Sequence, residues 1–239
     1  MVSIKTDVGN KRSLNEDFAS YYEGDSYKIY VVTDGMGGHN AGEVASKMAA
    51  EGLISYFTEN YGTIDEDKIL KASIEYVNKS LYQYSLSDTT FSGMGTTLTA
   101  CFATKDLIQI ANVGDSCCLG IVDDNIIKIT RDHSLVQELL DSGSISEEEA
   151  KHHPRKNVIT RAMGTSLSVE VDIFDITASG FHTLILCSDG LTNEVTNEEI
   201  KDLIKSRSNY DEACTALVDL AKDRGGKDNI TVMIFGGER

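Results

Sequence analysis

Residues 95–130 read GTTLTACFATKDLIQIANVGDSCCLGIVDDNIIKIT. Four short β-rich runs lie within them, at 96–104, 107–113, 117–122 and 126–130. Lys105-Asp106 and Asp123-Asp124-Asn125 supply tight connections, a pattern that predicts an antiparallel meander. A parallel doubly wound sheet is excluded, because its strands would alternate with crossover helices.

Upstream of this stretch the period is helical. In 41–56 the residues Val44, Ala45, Met48, Ala49, Leu53 and Tyr56 recur at three- and four-residue steps, making one apolar face. A second helix, 67–84, repeats the pattern with Leu70, Ile74, Val77, Leu81 and Tyr84. Before them come a strand over 27–33 and an N-terminal segment that starts strand-like. That segment then turns into a polar loop carrying Arg12, Asn15, Glu16 and Asp17.

Downstream, 131–164 is the least regular part. A short helix over 134–140 is followed by Ser146 with Glu149, a capping-box pair that opens another. His152-His153-Pro154-Arg155 breaks that helix, and a surface flap is expected over 136–160. Strands return at 169–176 and 182–187. Thr196 with Glu199 starts a further helix, 210–222 gives the last one, and 230–235 closes the chain as a strand. Strands, helices, strands, helices and a strand in that order imply sheets covered by helices, an α+β layered architecture.

The 239 residues contain one proline (Pro154), no Gly/Ser linker and no low-complexity run, so one domain over 1–239 is expected. Thirty-eight acidic residues against 22 basic ones give a net charge of −16. Such a field repels nucleic acid and anionic membranes, since phosphate binding rests on Lys/Arg neutralisation. None of the five cysteines forms a CxxC pair, so zinc spacing is absent, and four of them lie in apolar strand-like runs. Reduced buried thiols fit a cytoplasmic protein. No apolar signal region opens the sequence and no run approaches a membrane span, so a soluble cytoplasmic monomer is expected.

Four segments set an Asp beside glycine, serine or asparagine next to an apolar run: VVTDG (Asp34), NVGDS (Asp115), LILCSDG (Asp189) and GGKDNITVMIF (Asp228). The first and third are nearly the same construction. Strands ending at one sheet edge bring such carboxylates together, and packed carboxylates repel unless a cation holds them. All-oxygen ligation suits Mg²⁺ or Mn²⁺. Taken singly, each Asp also reads as a turn or cap residue. Arg12 adds a fork that matches the oxygens of a phosphate, or else is a plain surface arginine.

Eight motifs follow one another in the order found in a known family: TDVGNKRSLNED (6–17), VTDGMGGHNAGE (32–43), GMGTT (93–97), NVGDS (112–116), RDHSLV (131–136), NVITRAMG (157–164), CSDGLT (187–192) and GGKDNIT (225–231). Together they resemble bacterial metal-dependent Ser/Thr protein phosphatases of the type 2C, or PPM, family. The resemblance implies a central antiparallel β-sandwich of two sheets flanked on both faces by α-helices. It also implies a centre of two Mn²⁺ or Mg²⁺ ions at one edge. Asp34 would bridge both ions and Gly35 would offer its carbonyl. Asp189 and Asp228 would ligate one ion, and Asp17 with Glu16 would support the centre. Asp115, sharing Asp189, would help hold a third, weaker metal. Arg12 would clamp the phosphate, a bridging hydroxide would attack phosphorus in line, and phosphorylated proteins under Ser/Thr kinase control would be the partners.

Two departures stand out. Eukaryotic members read DGHGG, whereas here Met36 follows Gly35 and His39 comes three residues later, the bacterial form. His39 is a candidate catalytic acid, with substrate binding or plain packing as its other roles. His133, His152 and His153 are further candidates for that acid, with loop solvation the favoured reading for each. Cys117 stands where many members carry Arg after G-D-S, with possible redox sensitivity as one consequence. The competing class is a non-catalytic relative that keeps the fold and binds a partner. An EF-hand is excluded because its D-x-D-x-D-G loop is missing, and 35–40 fits neither G-x-G-x-x-G nor a P-loop.

Overall fold

The computed structural model describes residues 1–38, 41–176 and 181–236. Two antiparallel sheets face each other. One has the strand order β1 (Val2–Asp7), β11 (Ile230–Gly236), β10 (Thr183–Cys187), β7 (Cys117–Val122) and β8 (Asn125–Lys128). The other runs β2 (Asp17–Glu23), β3 (Lys28–Met36), β5 (Leu98–Ala103), β6 (Ile108–Val113) and β9 (Asp172–Ile176), with the two-residue β4 (Gly95–Thr96) added to the end of β3.

Every central strand is covered on both faces, which is why these strands read as apolar runs without polar alternation. The period of two is still there, dividing side chains among three cores. Ile29 and Val31 of β3 join Leu98, Ala100 and Phe102 of β5 beneath α1 (Ala41–Asn60) and α2 (Glu66–Ser85). The intervening Tyr30, Val32 and Cys101 face the other sheet, meeting Leu184, Leu186, Met233 and Phe235. The other faces of β7, β10 and β11 (Leu119, Ile185, Val232, Ile234) pack under α6 (Asn197–Ser206) and α7 (Tyr210–Asp223). The expected layering of helix, sheet, sheet and helix is the observed one. Among the described residues no helix is long and apolar enough to cross a membrane.

The meander expected over 95–130 is corrected in one respect. The runs pair two and two: β5 with β6 in one sheet, β7 with β8 in the other. Between β6 and β7 the chain turns a corner at 113–117, where Gly114 takes the left-handed backbone (φ 106°). A buried ring fastens that corner. His133 Nδ1 accepts from the Gly114 N–H (3.0 Å), and the His133 N–H donates to the Gly114 carbonyl (2.9 Å).

Several short elements escaped the sequence reading, among them β4 and the turn of 3-10 helix at Thr89–Phe91. Residues 17–23 form β2, an edge strand whose polar residues mask its periodicity, and α5 (Asp189–Thr192) is a single turn. The strand expected over 27–33 continues to Met36, because Gly35 and Met36 pair with Thr96 and Gly95. Both capping boxes form, at Ser146/Glu149 ahead of α4 (Glu147–Lys151) and at Thr196/Glu199 ahead of α6. The 136–160 excursion, which also carries most of α3 (Leu135–Asp141), is pinned at its base where the Leu135 N–H donates to the Val158 carbonyl (2.9 Å).

Candidate metal centre

At one end of the sandwich the two sheets present their acidic residues to a common cleft of about 220 Å³. Its lining includes Arg12, Glu16, Asp34, Gly35, Asp115, Asp189 and Asp228, with Asn157 and Ile159 from the far end of the 136–160 excursion. Asp17 does not line the cleft but lies buried behind it. His39 falls outside the described residues.

The sheet register explains the crowding. Asp17 and Asp34 are direct cross-strand partners on β2 and β3. Like charges so placed repel at a side-chain separation of about 5 Å. Asp115 enters at the corner between the sheets, after β6 and before β7, while from the other sheet Asp189 comes one residue past β10 and Asp228 precedes β11. The protonation equilibria register the result. Burial and then the charges of Asp17, Asp189, Asp115 and Asp228 raise the Asp34 carboxyl well above its ordinary range. Burial, followed by neighbouring carboxylates, lifts Asp17 to about 7, Asp115 to about 8 and Asp189 to about 6.

Hydroxyl groups hold the carboxylates in place across the gap between sheets. Ser188, after β10, donates to Asp17 Oδ2 (2.7 Å) on β2 and accepts from the Thr231 N–H (3.0 Å). Thr97 grips Asp34 at its backbone: its hydroxyl accepts from the Asp34 N–H (2.9 Å), and its own N–H donates to the Asp34 carbonyl (2.9 Å). The Thr96 hydroxyl donates to the same carbonyl (2.9 Å), and Thr97 Oγ1 meets Ser116 Oγ at 2.8 Å. Asp34 and the neighbour of Asp115 are thus joined through two hydroxyls.

The polar loop of 8–16 is fastened by Asn229, which accepts from the Glu16 N–H (2.9 Å) and donates to the carbonyls of Val8 (3.0 Å) and Leu14 (2.9 Å). All its side-chain donors are spent on this one loop. Arg12, carried by the loop, donates through Nη2 to Asp228 Oδ2 (2.8 Å).

The two Asp-Gly steps need glycine for the same reason, close approach of backbone. A Cβ at Gly35 would lie 2.1 Å from the Gly42 carbonyl oxygen, and one at Gly190 would lie 1.9 Å from that of Asn229. This adds a packing reason to the carbonyl-ligand role expected of Gly35.

His133 corrects the expectation of a solvated loop histidine. It is buried, and since Nδ1 accepts a backbone N–H, the proton of the neutral ring sits on Nε2 and is donated to Asp172 Oδ2 (3.1 Å). Asp172 also takes Arg161 Nη1 (2.7 Å). His133 therefore shapes the Asp115 corner. Thr97, Ser116, Ser188 and Asn229 were quoted within the motifs, yet their sequence carries no signal of the bonds they form; only the placement of a hydroxyl or amide next to each acid hinted at them.

Whether the pocket suits a divalent cation is decided by its oxygens. Asp17 Oδ1 and Glu16 Oε1 are buried with no hydrogen-bond partner. Buried orphan acceptors of negative charge are stabilised by an ion or by water bound to one. Among the described residues no three Asp, Glu, His or Cys side chains form a ready-made cage. The donors the cleft offers, carboxylates and a backbone carbonyl, are all oxygen, the set that hard divalent cations take. The donor set fits.

The protein phosphatase 2C family model matches residues 9–225. The chain belongs to that family. It is 43% identical to the serine/threonine phosphatase stp of Listeria welshimeri over 235 residues, 97% of this chain and 93% of that one. To protein phosphatase PhpP of Streptococcus pneumoniae it is 36% identical over 236 residues, 98% and 96% of the two chains. In three dimensions this phosphatase-family chain resembles the serine/threonine phosphatase Stp1 of Staphylococcus aureus (TM-score 0.92, 37% identity, covering 100% and 95%). It also resembles PstP/Ppp of Mycobacterium tuberculosis (TM-score 0.87, 32% identity, 100% and 99%).

Proposed function

We propose that this metal-dependent serine/threonine phosphatase hydrolyses phosphoserine and phosphothreonine in cytoplasmic proteins, acting as a monomer on substrates of a Ser/Thr kinase and on the kinase itself. The observation that carries the reading is the convergence of Asp34, Asp115, Asp189 and Asp228 on one cleft with Arg12 at its wall and an orphaned Asp17 oxygen behind it. Asp34 would bridge two Mn²⁺ or Mg²⁺ ions, with the Gly35 carbonyl, Asp189 and Asp228 as further ligands and Asp17 in support. Asp115 with Asp189 would take a third, weaker ion. Bound there, such ions supply a nucleophilic water at neutral pH and neutralise the phosphoryl oxygens.

The chain's own groups do the rest. A guanidinium has five N–H donors, so Arg12 can hold Asp228 and still present N–H groups to a phosphoryl oxygen. That contact orients phosphorus toward the carboxylate floor. The hydroxyl ties at Thr97, Ser116 and Ser188 keep that floor from relaxing as charge changes above it. The 136–160 flap, whose Asn157 and Ile159 form part of the wall, shapes entry. The leaving alkoxide needs a proton. His133 is not free to give it, being buried with both ring nitrogens engaged, and the proposed sources are His39 or water held at the metal site.

A phosphothreonine peptide assay tests this. Phosphate release is expected with Mn²⁺, and loss of release with EDTA or in Asp34→Asn. Turnover that persists through chelation sinks the metal-centre reading. Absence of turnover on every phosphopeptide would favour a partner-binding relative of the fold.

A further inference from the structure

Five cysteines lie buried in this phosphatase, and its chemistry uses none of them. Two are set apart by where the sheet puts them. Cys117 on β7 and Cys187 on β10 are direct cross-strand partners. Their sulfurs stand 3.6 Å apart on the α6–α7 side of the sheet. Cys118 turns to the opposite face, toward Cys101 between the sheets. Residues directly opposed on antiparallel strands have Cα atoms about 4.5–5.5 Å apart, inside the range a disulfide spans. The two Cα atoms are already within disulfide range, and what remains is to close the sulfur separation.

Each of the two cysteines lies two residues from a cleft carboxylate, in Asp115-Ser116-Cys117 and in Cys187-Ser188-Asp189. The two intervening serines are the ones whose hydroxyls meet Thr97 and Asp17. Shortening the sulfur separation from 3.6 Å to about 2.05 Å therefore pulls on both serine ties. Both sulfurs are buried, so a small oxidant reaches them by local opening, and the nearest sheet edge is the four-residue β8 beyond β7.

We propose that Cys117 and Cys187 are an oxidation site: a peroxide closes them into an intrachain disulfide that loosens divalent-cation binding at Asp115 and Asp189. In the first step the Cys117 sulfur attacks one peroxide oxygen, the O–O bond breaks, and a sulfenic acid and one water form. In the second the Cys187 sulfur attacks the Cys117 sulfur, the S–S bond forms, the S–O bond breaks, and the hydroxyl leaves as a second water with the Cys187 proton. Two thiols and one hydrogen peroxide give one disulfide and two waters. In a reducing compartment such bonds are transient and serve as sensors. The cation half of the proposal rests on the metal-centre reading above; the pairing of the thiols does not.

The test uses the full chain, treated with hydrogen peroxide or left reduced, then alkylated under denaturing conditions and mapped by peptide mass. The expected result is a linked peptide pair containing Cys117 and Cys187, with Cys101, Cys118 and Cys214 still alkylated, and full reversal by dithiothreitol. Calorimetric titration with Mn²⁺ is expected to show affinity about tenfold weaker in the oxidised protein, the scale seen when groups supporting metal ligands are disturbed. Cys117→Ala treated with peroxide is expected to keep the reduced protein's affinity. Because that variant could fold poorly, the wild-type mapping stands as an independent measurement. Cys117 and Cys187 remaining alkylatable, a link between another pair, or a link that leaves Mn²⁺ affinity unchanged would each overturn the proposal. Reduced protein that takes up no Mn²⁺ overturns the metal-centre reading, while the mapping decides the pairing by itself.

Discussion

VVT-Asp34-Gly35 and LCS-Asp189-Gly190 are almost one sequence, and the two sheets put them to different uses. At Asp34 the strand continues, and two threonines clamp the backbone on both sides of the residue. At Asp189 the strand stops and α5 begins, and the side chain itself is caught by Asn193 Nδ2 at 2.8 Å. Asp34 is thus fixed from behind, with its carboxylate aimed into the field of four others, whereas Asp189 is fixed partly through the carboxylate that faces the cleft. The shared Asp-Gly step sets the close backbone approach at each glycine. The neighbouring strand or helix decides what the acid is free to do.

The sharpest way to break the comparison is substitution. Asp34→Asn removes the central acid and is expected to lower phosphopeptide turnover by on the order of a thousandfold, since charge stabilisation by metal amounts to several kcal/mol. Asp189→Asn keeps the Asn193 contact through its remaining oxygen and is expected to lose less, on the order of a hundredfold, with partial recovery at raised Mn²⁺. Equal losses in steady-state assays would erase the distinction.

Removing the ties is expected to act on stability first. Ser188→Ala removes the 2.7 Å hydrogen bond to Asp17 Oδ2 beside an Oδ1 that already has no partner, and is expected to lower unfolding free energy by about 1–3 kcal/mol in a denaturant titration. Its Mn²⁺ affinity is expected to fall about tenfold. Asn229→Ala, which loses three bonds to the 8–16 loop, is expected to cost a similar amount.

The smallest effect is that of pH on the chelated protein. Asp17, Asp115 and Asp189 hold protons up to about 7, 8 and 6, above the value of 3.8 ordinary for the side chain, because of burial and mutual repulsion. Between those limits the folded chain binds more protons than the unfolded one, so stability falls as pH rises and is full only below the ordinary value. With EDTA present, Tm is expected to drop by a few degrees from about pH 5 to about pH 8, and Mn²⁺ is expected to restore it at the upper end. A flat profile would mean the acids do not share one field.

Much of this was legible in the sequence because helices and buried strands announce themselves by period. Leu70, Ile74, Val77 and Leu81 mark α2, and the motif order points to the family before any coordinate is known. What stayed hidden depends on register between distant strands. DFASYYE, as β2, has no clean alternation because its outer face is partly open to solvent at a sheet edge. Without β2, nothing in the sequence says that Asp17 stands opposite Asp34. Likewise the chain's change of sheet at 113–117 rests on a bond from His133, nineteen residues on, which local pattern cannot reveal.

The fastening of the 8–16 loop has a consequence for how the molecule comes into being. Glu16 and Asn229 are 213 positions apart, Arg12 and Asp228 are 216, and β1 has no neighbour but β11 in its sheet. Contacts that close so long a span form late, since their loop entropy is met before they return any stabilisation. During synthesis the N-terminal strand waits for nearly the whole chain to emerge before it gains a partner. The phosphate-facing arginine and the last acids of the cleft are then assembled in one closing event.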